Sequence, residues 1–314
     1  MKAIYFEGYG EADVLRYGDQ PNPELKPDQV LVAVRASSVN PVDWKIRQGH
    51  LLPVTGLSFP KIPGRDIAGD VVEIGAAVTR FKPGDKVFGM LSDGLGGANA
   101  ELAVLAEEVA AHMPPSLSYQ QAAAAPLAAY TALQGLRDEG GLQPGEKVLI
   151  NGASSGVGSF AVQIAKALGA GEVTAVVGAK NVELAKDLGA DHVINYKEHD
   201  FTADKDRYDV IFDAVATSTY SASKDSLRAG GRYVTTVPNP KDVISGPASL
   251  LTEKKMKAVW AQARGSDLAL IGEWLEAGNV KPLIDKSFPL ADTAEAHRYS
   301  EEGHAVGKIV LVVE

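Results

Sequence analysis

The sequence predicts an α/β protein in which a β-rich N-terminal region precedes a doubly wound parallel sheet. Three observations carry that expectation. Short apolar strands broken by glycine and proline run to about residue 115, an alanine-rich helical stretch opens at Ser118, and strands alternate with helices beyond it. At 314 residues the chain is longer than one core commonly supports, so two domains are expected.

In the N-terminal region the strands read KAIYF, QVLVAVRAS, IAGDVVEIG, DKVFGML and AELAVLA, with turns such as Lys82-Pro83-Gly84-Asp85 between them. SYQQAAAAPLAAYTALQGL then reads as one helix, with Ser118 suited to its N-cap. Alternating units follow: strand KVLING and helix 157–168, strand VTAVVG and helix 181–188, strand HVIN, strand DVIFDAV and helix 219–228, and strand RYVTTV. From about Ala263 the chain supplies helix DLALIGEWLEAG, a short helix near DTAEAHRYSEE and the strand KIVLVVE. A β-branched closing strand is ill suited to a free tail, so it is expected to return to the N-terminal β region. The expected boundaries are 1–120, 121–262 and 263–314.

Composition narrows function by exclusion. A hydrophobic share of 45% and a charged share of 23% are those of an ordinary soluble enzyme. A net charge of −9 argues against a surface for nucleic acid. The absence of cysteine removes disulfides, thiolate zinc ligands and a cysteine nucleophile. With no apolar run of about 18 residues and an acidic N-terminus, membrane insertion is not expected and a cytoplasmic location is.

The most informative stretch is VLINGASSGVG, from Val148 to Gly158, where an apolar strand meets a helix through Gly152, Gly156 and Gly158. Glycines let backbone N–H groups close on phosphates, and the helix dipole favours their charge, so a nucleotide cofactor is expected. Its identity is read about 20 residues on, where NAD sites carry a carboxylate for the ribose 2′-hydroxyl. Here the stretch 173–181 has none. Lys180 and the Asn181 amide can pair with a 2′-phosphate for which Gly178 leaves room, which favours NADPH; the alternative is a solvated lysine at a helix start.

Two families share such glycines. Tyr220-Ser221-Ala222-Ser223-Lys224 matches the Tyr-x-x-x-Lys pair of short-chain dehydrogenases, in which the lysine tunes the tyrosine for proton transfer. It lies too close to the glycines, and a long β-rich region precedes them, so the pair reads as a helix-surface coincidence. The whole chain instead resembles the medium-chain dehydrogenase/reductase superfamily. The resemblance runs through Asn40-Pro41-Val42-Asp43, Pro63-Gly64-Arg65-Asp66-Ile67-Ala68-Gly69, Val72-Glu73-Ile74-Gly75, Phe81-Lys82-Pro83-Gly84-Asp85-Lys86-Val87, Tyr130-Thr131-Ala132, the glycine motif and Gly307-Lys308-Ile309-Val310. Where zinc members carry a Gly-His-Glu ligand the chain reads Gly64-Arg65-Asp66, and a short glycine-rich stretch, 89–97, stands in place of the four-cysteine lobe. The chain is thus similar to the zinc-independent quinone oxidoreductase and enone reductase branch, and no metal site is expected.

That resemblance implies a GroES-like β-rich catalytic domain, a Rossmann NADPH-binding domain and a C-terminal segment returning to the first. It implies NADPH-dependent hydride transfer to a quinone or an α,β-unsaturated carbonyl, in a cleft between the domains, and a homodimer formed through nucleotide-domain edge strands. The diphosphate would lie on Ser154, Ser155, Gly156, Val157 and Gly158, with Lys180 and Tyr196 at the adenosine phosphate. Ala214-Val215 and Val237-Pro238 would border the ribose and nicotinamide, and His304, Ala305 and Val306 would close over the cofactor. Asn40 is the choice for orienting the nicotinamide or binding the substrate oxygen, with Asp43 organising the loop or relaying a proton. The competing reading is a turn in which Asp43 caps the helix after Asn40-Pro41. Arg65 and Asp66 are expected to form a structural pair, and the six histidines ordinary core or surface roles. A short-chain-type carbonyl reductase using Tyr220 and Lys224, and an NADPH-binding sensor or structural protein, are the alternative functions.

Overall fold

The computed structural model describes residues 1–92, 96–237, 246, 247, 249 and 251–314. The expected turn residue Pro238 lies outside them, as does the middle of the glycine-rich stretch 89–97. The chain folds as two compact units. Unit 1 comprises Met1–Leu127, Ala263–Ala277 and Pro282–Glu314, and unit 2 comprises Ala128–Gln262 and Gly278–Lys281.

The strands in chain order are β1 (Lys2–Tyr5), β2 (Arg16–Asp19), β3 (Gln29–Val39), β4 (Asp66–Ile74), β5 (Lys86–Met90), β6 (Leu102–Ala106), β7 (Ala110–His112), β8 (Lys147–Asn151), β9 (Glu172–Val177), β10 (His192–Asn195), β11 (Tyr208–Asp213), β12 (Leu227–Thr235), β13 (Lys255–Ala258), β14 (Ile284–Pro289) and β15 (Lys308–Val312). The helices that matter here are α1 (Pro41–Arg47), α2 (Tyr119–Ala123), α3 (Pro126–Gln134), α4 (Gly156–Ala167), α5 (Val182–Asp187), α6 (Gly265–Glu276) and α7 (Thr293–Glu301). Among the described residues, no helix is long and apolar enough to cross a membrane.

Unit 1 is built on a sheet of order β14-β15-β3-β4-β5-β7, with β6 also paired to β3 and a separate β1-β2 ribbon. The GroES-like β-rich domain is this unit. Its longest strand, β3, alternates buried and partly exposed residues over its first half, then is buried continuously from Ala36 to Val39 where β15 joins it. The closing strand pairs antiparallel with β3 and parallel with β14, which gives its apolar run a partner on each edge.

Unit 2 is a six-stranded sheet of order β10-β9-β8-β11-β12-β13 in which every pair is parallel. That is the Rossmann order. Because helices cover both faces of such a sheet, its strands are apolar throughout: β8, β9 and β11 are buried over nearly their whole lengths.

Three local expectations change. The stretch opening at Ser118 is two helices, because Pro126 cannot donate to the preceding turn and breaks the run between Ala123 and Pro126. Ser118 does cap the first of them, accepting the Gln121 N–H at 3.2 Å. The helix expected over 219–228 is one turn, Tyr220–Ser223, and Leu227 already begins β12 opposite Tyr208. Leu227, Tyr208 and Tyr233 share one buried cluster, and that packing outweighs local helix preference. The division between units falls at Leu127/Ala128 rather than at residue 121, since α2 packs on β3 and β4. Residues 278–281 join unit 2, where the Gln163 amide exchanges two hydrogen bonds with the Lys281 backbone at 2.8 and 3.0 Å.

Candidate functional site

In unit 2 the chemistry-bearing turns converge at the carboxyl edge of the parallel sheet. Beyond β8 the chain turns at Gly152, whose φ of 76° lies in the left-handed region, and the N–H groups of Gly152 and Ala153 both donate to Val176 O at 3.1 Å. Ser155 caps α4, its hydroxyl accepting the Gly158 N–H at 3.0 Å. A Cβ on Gly158 would sit 2.1 Å from Gly152 O, so only glycine lets helix and turn approach this closely. The first-turn amides of Gly156 and Val157 have no acceptor within the helix, and there is no acidic side chain in that turn to compete for them.

The other expected residues cluster around this turn in pairs. Val215 lies over Gly152, where a Cβ would meet its methyl groups at 2.5 Å. Thr236 donates to Ala214 O at 3.3 Å and Thr235 to Val237 O at 3.2 Å, so the turns after β11 and β12 adjoin. Tyr196, 59% exposed, stands beside Gly178, and an added Cβ there would lie 3.4 Å from its ring. The Asn181 amide donates to Ser154 Oγ at 3.1 Å, which commits it to bracing the glycine turn. Lys180 is exposed and, among the described residues, has no ion pair. An anion-ready helix start, a glycine-only turn and an unpaired lysine at the end of β9 fit a dinucleotide bearing a 2′-phosphate.

Sequence reasoning missed the buried hub beneath these turns. Asp213 accepts from Asn151 Nδ2 at 3.0 Å, Tyr233 Oη at 3.0 Å and Ser218 N at 2.8 Å, which fixes the β11 turn and the left-handed Ala216 that follows Val215. An aspartate closing an otherwise apolar buried strand was the available signal. Tyr220 is not a surface residue: it is buried beside Tyr233, and its phenol donates to Lys254 O at 2.7 Å. Lys224, one turn on, is exposed, so the Tyr-x-x-x-Lys spacing reflects core packing.

In unit 1 a second polar group is assembled from β3, α1, β4 and β15. Asn40, Asp43, Asp66 and Lys308 are 2, 2, 0 and 4% exposed. Asn40 Nδ2 donates to Asp66 Oδ2 at 2.9 Å, and Lys308 Nζ donates to Asn40 Oδ1. Asp66 also accepts from Ser38 Oγ at 2.7 Å and Leu127 N at 2.9 Å, and it lies 3.6 Å from Lys308 Nζ. The Asn40 side chain is thus committed at both ends and sealed from solvent, which favours a bracing role over direct contact with a substrate oxygen. Asp43 accepts the Asn40 N–H at 2.8 Å, the return half of a capping box. The expected Arg65–Asp66 pair does not form, because Asp66 is turned into this cluster and Arg65 donates instead to Leu91 O at 3.3 Å. Lys308, opening the buried strand KIVLV, was the overlooked signal.

Helix α1 is held in place from its other end. Arg47, fully buried, donates to Glu301 at 2.7 Å and Gly10 O at 3.1 Å, and Trp44 donates to Ser300 Oγ at 3.2 Å. His297 beside Arg47 is driven down to about 3 by burial and by the guanidinium, so it stays neutral as a core residue. His304 is exposed, Ala305 packs on the unit 1 core, and Val306 N–H donates to Asp285 at 3.1 Å, forming the turn into β15.

Burial pushes the Asp43 carboxyl up to about 7, helped by Asp66 and opposed by the Asn40 N–H, Arg65 and Lys308. Burial likewise drives the Lys308 ammonium downward against Asp66 and Asp43. An acid whose folded value is raised favours the folded state below its unfolded value, and that advantage is lost as pH climbs through the folded one. The Tm of wild type minus that of Asp43→Asn is therefore expected to fall between about pH 4 and about pH 7 and level off above, as read by thermal melts. A pH-independent difference would refute a protonated, buried Asp43.

Comparisons with known proteins follow this geometry. A family model described as alcohol dehydrogenase GroES-like domain matches residues 26–115, and one described as zinc-binding dehydrogenase matches residues 188–311. The chain is similar to the chloroplastic quinone-oxidoreductase QR1 of Triphysaria versicolor, with 37% identity over 99% of this chain and 98% of that one. It is 35% identical to the chloroplastic NADPH-dependent alkenal/one oxidoreductase of Arabidopsis thaliana, over 99% of this chain and 79% of the relative. Among solved structures, the quinone oxidoreductase from Coxiella burnetii superposes with a TM-score of 0.92 at 31% identity, covering 100% of this chain and 99% of its own. One matching description names zinc, yet the chain has no cysteine, and among the described residues no group of three or more His, Asp or Glu side chains is placed to hold a metal ion.

Proposed function

This chain belongs to the medium-chain dehydrogenase/reductase superfamily, in its zinc-independent quinone and enone oxidoreductase branch, and from that premise we infer that it reduces quinones or α,β-unsaturated carbonyls with NADPH. The observation that carries the cofactor is the edge of the unit 2 sheet, where the glycine-only turn at Gly158 adjoins an end of β9 that bears Lys180 and no carboxylate.

When bound, the reduced nicotinamide supplies a hydride. The electron pair forms a C–H bond at an electrophilic carbon, the acceptor's π electrons move onto oxygen, and a proton from water completes the enone or quinone reduction. The chain's own contribution is positioning. Ser154 to Gly158 offer backbone donors to the diphosphate, Lys180 answers the 2′-phosphate and Tyr196 flanks it. Val215 restricts the space above Gly152. In unit 1, Asn40 and Asp43 organise the start of α1 and the strand ends that meet there.

The test is oxidation of NADPH followed by absorbance with 9,10-phenanthrenequinone and with short and long enones, for wild type and Lys180→Glu. Turnover with wild type is expected, and the variant should weaken NADPH by about tenfold to a hundredfold while leaving NADH nearly unchanged, since reversing one exposed charge acts only on the extra phosphate. Equal weakening of both coenzymes would remove the phosphate assignment, and NADPH binding without turnover of any acceptor would favour a sensor. The unpaired outer edge of β13 supports association of two copies through nucleotide-domain edge strands, which light scattering of the purified chain would check.

A further inference from the structure

Arg65 is the one candidate for which the fold gives no structural account. It sits between Pro63-Gly64 and β4, half-buried, and its Nε is sealed from solvent with no hydrogen-bond partner. Its only recorded hydrogen bond is the long one from Nη2 to Leu91 O at 3.3 Å, and among the described residues no carboxylate lies within ion-pairing distance. A guanidinium carries five donors, so most are unspent. Neighbouring Asp66 cannot neutralise it, being taken by Ser38, Asn40, Leu127 N and Lys308. The backbone before it is pinned: Gly64 has φ 88°, and a Cβ there would sit 2.0 Å from Asn99 Oδ1. A fixed, partly desolvated cation with an orphaned buried N–H costs stability that nothing within the protein returns, which is the signature of a group waiting for an external acceptor.

We propose that Arg65 is a catalytic residue that donates to the acceptor's oxygen and stabilises the enolate or hydroquinone oxyanion as hydride arrives. The proposal rests on the reductase reading above and adds to it the residue that carries the developing charge. A preorganised donor in a partly dehydrated setting is worth most where charge appears only in the transition state. Arg65 also lies close enough to Asp43 to act on it electrostatically, so the cation adjoins the buried cluster of unit 1.

The experiment compares wild type, Arg65→Met and Arg65→Lys by steady-state kinetics, thermal melts and binding of 4-nitrophenolate, an oxyanion probe read by its absorbance without NADPH. Arg65→Met should lower kcat about a hundredfold, as loss of an oxyanion donor does. Its KM for NADPH should hold, its Tm should be unchanged or raised, and its affinity for the phenolate should fall at least about tenfold, in line with a lost charge-assisted bond. Arg65→Lys should recover part of both losses. Retention of kcat within about twofold, or a fall of kcat and Tm together, would overturn the proposal. If wild type reduces no quinone or enone, the reductase reading fails, and the phenolate measurement still decides whether Arg65 is an oxyanion donor.

Discussion

Replacing Lys308 by methionine is expected to destabilise the protein by about 3–5 kcal/mol, the range seen when one partner of a buried ion pair is removed. The side chain is nearly the same length, so packing changes little and the electrostatic loss dominates. Asp66 would keep its hydrogen bonds from Ser38, Asn40 and Leu127 N but lose the only buried cation near it at 3.6 Å. Asn40 would lose the donor to its Oδ1 at the same stroke. In a thermal melt this is a drop in Tm of about 10 °C for a protein of this size. Adding Asp66→Asn should restore part of the loss, because two coupled charges removed together cost less than the sum of the separate removals. A melt within about 1 kcal/mol of wild type would mean that the cluster is better solvated than its burial indicates.

Gly158→Ala is expected to abolish NADPH binding at concentrations that saturate wild type. The added Cβ would meet Gly152 O at 2.1 Å and Ala153 Cα at 2.8 Å, both backbone atoms, so the turn itself must open. Overpacking of this kind costs about 1–3 kcal/mol of stability. The larger consequence is functional, since the same backbone carries the amides that face the diphosphate. Titration of NADPH fluorescence checks it. Gly156→Ala is the control: Gly156 opens α4, and no required left-handed φ marks it, so alanine there should be far milder. Normal NADPH affinity in Gly158→Ala would separate the glycine turn from the cofactor.

Particular elements explain how much was legible. The strand-turn-helix at Val148 to Gly158 was readable because each residue type there answers a local demand: β-branched residues for a buried strand, glycine for a left-handed turn, serine for a cap. The 219–228 helix was misread because Leu227 is drawn into the core beside Tyr208 and Tyr233, a long-range packing term absent from any local window. The break before Pro126 was local and available, though the alanines on either side masked it.

The candidate site divides in the same way. The sequence by itself determined the two-domain α/β class, the glycine turn, the lysine in place of a carboxylate after β9 and the family, because these depend on residue type and order along the chain. Tertiary structure alone decided that Asn40 is sealed between Asp66 and Lys308, residues 26 and 268 positions away, and that Asp66 turns from Arg65 and leaves it unpaired. Buried electrostatics depend on which charges share a low-dielectric space, and strand pairing of β15 with β3, rather than proximity in sequence, brings those charges together.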